Sequence, residues 1–418
     1  MKPTFSRYQV FVIALLAFLQ FSVVLDFMIL SPLGALLLQE LGVSTARFGA
    51  VVSAYAFSAG AAGLLAAGFA DHFDRKRLLL FFYAGFILGT LLCALATGYH
   101  FLLLARVVTG LFGGVIGSIS FAIVADLFEW KVRGRVMGFI QTAFSASQVL
   151  GIPLGLMLSN RWGWHAPFFM IAGISVAVWA VVLVFLKPVD AHLRGRERQH
   201  PLGHLWGVAS HPQYLTAFGA TILLATGGFM MMPFGSTFAV NNLGISLAAL
   251  PMVYMVTGLS QLLVGPLLGR LSDRLGKYPL FVAGSLAGTA MVLYYTGLGR
   301  SSLAWVMAAN VLLFVTITAR MIPAMALGSA VPEPAQRGTY MSISASLQQL
   351  SGGVASFVAG LIVVQAPDGR LLHYQTLGMV VGGTMLLSAL LMARVNRIVA
   401  HRLASRAAAP AWPEEPVV

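Results

Sequence analysis

The chain has 418 residues, of which 58% are hydrophobic and 9% charged, with a formal net charge of +13. Soluble proteins carry charge on roughly a quarter of their residues, so this composition excludes a water-soluble domain and requires lipid. The basic excess points to nucleic acid only until its placement is read, because Lys and Arg crowd one side of a series of apolar runs.

Runs of about 20 apolar residues cross a hydrocarbon core of roughly 30 Å as helices, since lipid offers no partner to free backbone groups. The predicted spans are 9 to 38, 46 to 70, 78 to 97, 101 to 125, 136 to 158 and 167 to 187, then 213 to 240, 246 to 270, 279 to 298, 303 to 330, 339 to 364 and 373 to 394. The expected fold class is an all-α membrane protein with twelve transmembrane helices in two pseudo-symmetric six-helix bundles. Residues 1 to 187 form the first bundle, 188 to 212 a cytoplasmic linker, 213 to 394 the second bundle and 395 to 418 a cytoplasmic tail. When the gaps are assigned to alternate sides, only Arg47, Arg161, Arg300 and Arg370 fall opposite the basic side, and Arg106 and Arg320 lie within spans. The positive-inside rule then predicts both termini in the cytoplasm of a multi-pass plasma-membrane protein. The first span is too long for a signal-peptide core and is read as retained.

In chain order, the first span carries Asp26, about 16 residues in and roughly 24 Å from its start at 1.5 Å per residue. Intramembrane charges are functional candidates by default. The fourth span, entered from the opposite face, carries Arg106 at a depth that permits pairing with Asp26. A carboxyl in low dielectric next to an arginine is a group able to exchange a proton, or one half of a permanent salt bridge that fixes packing. The gap after the second span reads Ala70-Asp71-His72-Phe73-Asp74-Arg75, and the gap after the eighth, at nearly the same place in the second half, Ser272-Asp273-Arg274-Leu275-Gly276-Lys277. Glu129, Arg133, Gly134 and Met137 spell E-x3-R-G-x2-M, which Glu333, Arg337, Gly338 and Met341 repeat. The chain is therefore an internal duplication. Aligning Ser31-Pro32-Leu33-Gly34 with Met232-Pro233-Phe234-Gly235 puts Gly227 opposite Asp26, so the acid belongs to one half only.

The fifth span contains Gly151-Ile152-Pro153-Leu154-Gly155, predicting a kinked, closely packed helix. Cys93 is the only cysteine, which excludes a disulfide within the chain. His200 and His204 in the linker lack a third ligand and are read as a solvated loop, with no metal site. Arg320, in the tenth span, binds an anionic group or snorkels to the interface. No G-x4-G-K-[ST] occurs, since Gly276-Lys277 is followed by Tyr278, so no ATPase module is predicted.

Twelve spans in two parallel halves, with these gap signatures, resemble the major facilitator superfamily over residues 9 to 394. The second copy of the loop, from Gly269 to Tyr278, matches the family's G-x-L-A-D-R-x-G-R-R closely, whereas the first has Ala67 and Asp74 in place of glycines. Arg106 to Gly110 resembles the family's R-x3-G pattern in the fourth helix, whose arginine is implicated in proton transfer. The G-x-P-x-G form in the fifth helix is similar to the sugar-efflux, arabinose permease-like branch of its drug and proton antiporters. The resemblance implies Asp26 and Arg106 as the proton-coupling pair. It implies conformational gating by Asp71, Arg75, Asp126, Arg133, Asp273, Lys277, Arg337, Gly151, Pro153 and Gly155. It also implies a cavity lined by the first, fourth, seventh and tenth helices. Candidate lining residues are Phe27, Met28, Phe229, Met230, Met231, Met232, Phe234, Phe238 and Phe314, with Gln148 and Gln348 as polar contacts; thioethers and aromatic faces adapt to varied apolar ligands.

The expected function is secondary active transport, as efflux of a small amphipathic compound driven by protons, with proton-coupled uptake and a non-transporting membrane receptor as alternatives. Partners are a small-molecule substrate and lipid, without nucleic acid; no cofactor besides the coupling proton and no enzymatic chemistry is expected, and the chain is expected as a monomer.

Overall fold

The structure, a computed structural model, describes residues 5–69, 72–190, 206–333 and 336–408. Its twelve spans are α1 (Arg7–Ile29), α2 (Thr45–Ala66), α3 (Arg75–Ala94), α4 (Tyr99–Leu127), α5 (Val132–Trp162), α6 (Ala166–Phe185), α7 (Pro212–Asn241), α8 (Leu250–Leu275), α9 (Lys277–Thr296), α10 (Leu303–Ala330), α11 (Arg337–Ile362) and α12 (Tyr374–Arg402). Their even number returns both chain ends to one face, here called the terminal side, with the far side opposite. His200 and His204 of the linker lie outside the described residues.

Local chemistry sets the helix ends. Ser6 and Gln9 form a capping box at the start of α1. Asp74 caps α3 by accepting from the Lys76 amide at 2.9 Å, and it also accepts from the Val189 amide at 3.0 Å. That explains the departure at the first loop signature. The equivalent glycine in the second copy, Gly276, has φ +92°, a conformation that strains any side chain, and it turns the chain from α8 into α9.

Two predicted spans break where proline falls. The run 9 to 38 ends as a helix at Ile29, turns through Pro32 and resumes as the short helix Gly34–Glu40. In the second half, a tight 3-10 turn, Met232–Phe234, contains Pro233 and precedes the helix Gly235–Asn241. The duplication thus preserves a backbone break as well as a sequence. In α5 a π-helical segment, Ser147–Gly151, immediately precedes Pro153 and absorbs the backbone donor the proline lacks. The helix that contains α12 continues to Ala408, well past the predicted end at 394, and Arg402 ties it to the Gln213 amide oxygen at 2.9 Å. A small hairpin absent from the sequence reading, β1 (Val364–Gln365) with β2 (Leu371–Leu372), joins α11 to α12.

The halves meet through small residues. A Cβ on Gly49 would lie 2.9 Å from the Ser356 carbonyl oxygen, and one on Gly60 2.7 Å from Leu350, so α2 and α11 approach as closely as glycine allows. The Ser53 hydroxyl donates to the Gly353 carbonyl at 2.8 Å and the Thr45 hydroxyl to Val363 at 2.5 Å. On the far side the two proline breaks interlock: Ser236 donates to the Ser31 carbonyl at 2.8 Å, and Ser31 donates to the Met232 carbonyl. α5 touches α8 at Val149, 2.9 Å from a Cβ placed on Gly258. Toward the terminal side, Gly134 and Gly138 of α5 and Gly265 and Gly269 of α8 have nothing within 4 Å of the Cβ position. The seam is sealed at the far side and loosens between α5 and α8 toward the terminal side.

Candidate functional site

Asp26 is fully buried and its carboxylate accepts from Arg106 Nη1 at 2.7 Å. The same nitrogen donates to the Asp26 carbonyl at 3.3 Å, and the Thr90 hydroxyl of α3 donates to the other carboxylate oxygen at 3.1 Å. The guanidinium carbon lies 4.5 Å from the centre of the Tyr55 ring on α2, within cation-π range. Arg106 Nε has no hydrogen-bond partner among the described residues. Four helices therefore converge on one ion pair.

Glycines bring those helices together. A Cβ on Gly110 would fall 2.5 Å from the Tyr55 carbonyl oxygen, and one on Gly114 2.5 Å from Ala59 Cα, so α4 presents a G-x3-G face to α2. Gly89 of α3 meets Thr109 at 2.6 Å in the same manner. The R-x3-G pattern now has a physical reason: Gly110 admits α2 so closely that Tyr55 comes to lie over Arg106.

From Tyr55 an aromatic series leaves the first half. Its ring centre is 5.2 Å from that of Phe27, and Phe27 is 5.8 Å from Phe229 on α7. Phe229 fills the space left by Gly352 of α11, where a Cβ would stand 2.7 Å from the ring, and its carbonyl accepts from Ser356 at 3.1 Å. The ion pair is thus in packed contact, through two rings, with the second half.

The structure corrects part of the predicted cavity lining. Met230, Phe234 and Phe238 are 2%, 0% and 2% exposed and belong to the packed core. Phe234 meets Phe48 edge-on at 6.0 Å, and Phe238 stacks on Tyr374 at 4.1 Å, because the proline break of α7 turns these side chains into the far-side seal. Phe27, Met28, Met231, Phe314, Gln148 and Gln348 are only partly buried.

Gly151 and Gly155 pack against α1, with a Cβ on either falling 2.6 Å from Leu25 or Ile29 respectively. At the terminal side, Arg75 donates to Asp126 at 3.3 Å, while Arg133 donates to the carbonyls of Phe128 at 2.9 Å and Ala125 at 2.5 Å, closing the C-terminal end of α4. Asp71 lies outside the described residues. In the second half, Lys277 and Asp273 form only an exposed pair at 3.7 Å, and Arg337 Nε has no hydrogen-bond partner among the described residues.

Arg320 does not snorkel. It is 2% exposed, with Nε donating to Ser285 of α9 at 3.3 Å and Nη2 donating to Ser388 of α12 at 2.8 Å. Tyr55, Thr90, Ser285 and Ser388 escaped the sequence reading, since an uncharged residue in an apolar helix carries no signal of its own. The repeat offset could have flagged Tyr55: its counterpart in the second half is Thr257, which accepts from Asn310, the counterpart of Arg106, at 2.7 Å.

Residues 16–356 and 217–413 match the model of the Major Facilitator Superfamily. The chain belongs to this superfamily. It is 28% identical over 341 residues to the uncharacterized MFS-type transporter YceJ of Bacillus subtilis (strain 168), covering 81% of this chain and 85% of that protein. It is 24% identical to a Helicobacter pylori (strain G27) protein named "Probable sugar efflux transporter", over 55% of this chain and 57% of that one. Among solved structures it resembles the nucleoside transporter NupG with a TM-score of 0.73 at 16% identity, covering 92% of this chain and 99% of the other. The protein is an integral multi-pass membrane transporter of the major facilitator type.

Proposed function

We propose that the protein exports a small amphipathic compound across the plasma membrane in exchange for protons, with Asp26 as the proton carrier and both termini cytoplasmic. The observation that carries this reading is the pairing of Asp26 with Arg106 at 2.7 Å, out of water and in packed contact with the other half through Tyr55, Phe27 and Phe229. When the far side is sealed and the pair intact, the carboxylate has given its proton to the cytoplasm and the halves are ready to take up solute there. After the halves rock, a proton arriving from outside neutralises Asp26 and frees Arg106 from its carboxylate, and solute leaves. A membrane potential of 100 mV adds about 2.3 kcal/mol for each charge moved. The name of the Helicobacter relative supports the outward direction.

The test is solute flux in proteoliposomes under an imposed pH gradient. Asp26→Asn protein that unfolds at its normal temperature is expected to lose gradient-driven flux; flux at the parent rate in that variant removes Asp26 from the coupling. Comparing right-side-out with inverted vesicles fixes the direction.

A further inference from the structure

Between α1 and α6 a groove of about 410 Å³ opens on the outside of the first bundle, with Phe11, Ala14 and Phe18 of α1 facing Ile174, Ala177 and Val181 of α6; every residue that lines it is apolar. Its cause is local. Ala14 and Ala177 are exposed and end at Cβ, while the lining residues one turn to either side of each are bulky. Both helices are membrane spans, so the mouth of the groove faces lipid.

Helical rise sets its depth. At about 1.5 Å per residue Phe18 lies roughly 16 Å below Arg7, close to half of a hydrocarbon core of roughly 30 Å, so the groove runs down the terminal-side leaflet and stops near the midplane. Arg7, Phe11, Ala14 and Phe18 recur at helical spacing, which puts Arg7 on the groove's own face of α1, at its terminal-side end. From Phe11 an aromatic edge continues to Phe185 at 6.2 Å and to Tyr8 at 6.1 Å. The Tyr8 hydroxyl accepts from the Lys187 amide at 2.9 Å, and Lys187 Nζ lies 5.1 Å from the Tyr8 ring centre, so the start of α1 and the end of α6 bring two cations to one lip. Arg7 and Lys187 are exposed, and neither has a carboxylate partner among the described residues, Asp190 included.

We infer that an anionic phospholipid of the terminal-side leaflet binds here, with one acyl chain in the groove and its phosphate on Arg7 and Lys187. An apolar slot one leaflet deep, with uncompensated positive charge at the headgroup level, matches that amphiphile in both parts. A zwitterionic lipid brings its own cation to the same lip and matches only the slot. A second copy of the chain matches worse still, since a twofold axis along the membrane normal would set its Arg7 and Lys187 against these at the same depth. The site requires only that α1 and α6 span the membrane, and so stands apart from the direction and coupling of transport.

The experiment is native mass spectrometry of the purified full-length protein in mild detergent, after equilibration with equal amounts of phosphatidylglycerol and phosphatidylcholine of the same chain length. One phosphatidylglycerol is expected to stay on each monomer, and phosphatidylcholine to be lost. Ala177→Trp fills the groove and is expected to release the lipid, whereas Val176→Trp, at a position 49% exposed on a different face of α6, is expected to retain it. Arg7→Gln combined with Lys187→Gln weakens retention of phosphatidylglycerol by roughly tenfold to thirtyfold, and it serves as the test should Ala177→Trp fail to fold. Retention at the parent level in Ala177→Trp or in the doubly neutralised protein overturns the site. Equal retention of phosphatidylcholine by the parent protein overturns the choice of an anionic headgroup, and a dimer that Ala177→Trp abolishes gives the groove to a second copy and overturns the lipid.

Discussion

In the first half a carboxylate and a guanidinium lie 2.7 Å apart with no exposure to water, whereas at the related level of the second half a glycine faces a guanidinium held by two serines. The same asymmetry recurs at the terminal side. Arg75 and Asp126 form a mostly buried pair, while Lys277 and Asp273 form one whose side chains are 41% and 78% exposed. The duplication therefore gave both halves one scaffold, and the charges within it diverged. The buried carboxylate sits in the first half, where Arg106, Thr90 and Tyr55 surround it, and the second half holds its buried arginine by hydroxyls alone.

The largest effect is expected from breaking the Asp26–Arg106 pair from one side. Arg106→Met leaves a buried carboxylate with only Thr90 to satisfy it, and removing one member of such a pair costs about 3 to 5 kcal/mol. The double variant Asp26→Asn with Arg106→Gln restores neutrality and is expected to unfold at a higher temperature than Arg106→Met alone. Equal instability of the two proteins would show that geometry rather than charge is what the pair provides.

Next in size is the seam that joins the halves. Gly49→Val drives a Cβ to within 2.9 Å of the Ser356 carbonyl, and overpacking of this kind costs about 1 to 3 kcal/mol. That cost falls on the far-side-closed state, so single cysteines placed at the far end of α2 are expected to become more reactive to aqueous maleimide. Gly265→Val, where a Cβ meets nothing within 4 Å, is expected to leave labelling unchanged.

A smaller difference separates the two terminal-side pairs. Arg75→Ala removes a side chain that is 7% exposed and leaves Asp126 without this partner, a loss of about 1 to 3 kcal/mol. Lys277→Ala removes half of an exposed pair and is expected to cost about 1 kcal/mol or less. Unfolding of the two variants side by side in low and high salt checks this, since only the exposed pair is well screened.

How much of this could be read from the chain varies with the kind of signal. Spans, duplication and the Asp26–Arg106 pair were legible because charge is rare in lipid and helical rise fixes depth. The backbone breaks were not: the alignment paired Pro32 with Pro233, yet each proline stayed inside one unbroken predicted span. The facing of neutral residues was not legible. Phe234 and Phe238 lie on a helix expected to line a cavity, yet the break at Pro233 rotates them into a seal, and no composition signal reports a rotation. Tyr55 was silent because its role depends on Gly110, four residues beyond Arg106 and on a different helix.

The least effect is expected at the β1–β2 hairpin, a feature of the second half alone among the described residues. Asn242 clamps it by donating to the Leu371 carbonyl at 2.9 Å and accepting from the Leu371 amide at 2.9 Å. Within the turn, Arg370 donates to Asp368 at 2.6 Å, and these hydrogen bonds hold the Asp368 carboxyl below its ordinary range. A depressed carboxyl contributes order above the ordinary aspartate pKa of about 4, and that contribution is lost as pH falls through the lowered value. Amide hydrogen exchange at Gly369 to Leu372 is therefore expected to stay constant from neutral pH down to about 4, after correction for the intrinsic exchange rate, and to quicken below it. Asp368→Asn removes that step. Because the pair is exposed, the Asn242 clamp is expected to hold the hairpin in both proteins, and a hairpin that opens fully in Asp368→Asn would shift the main restraint from Asn242 to the turn.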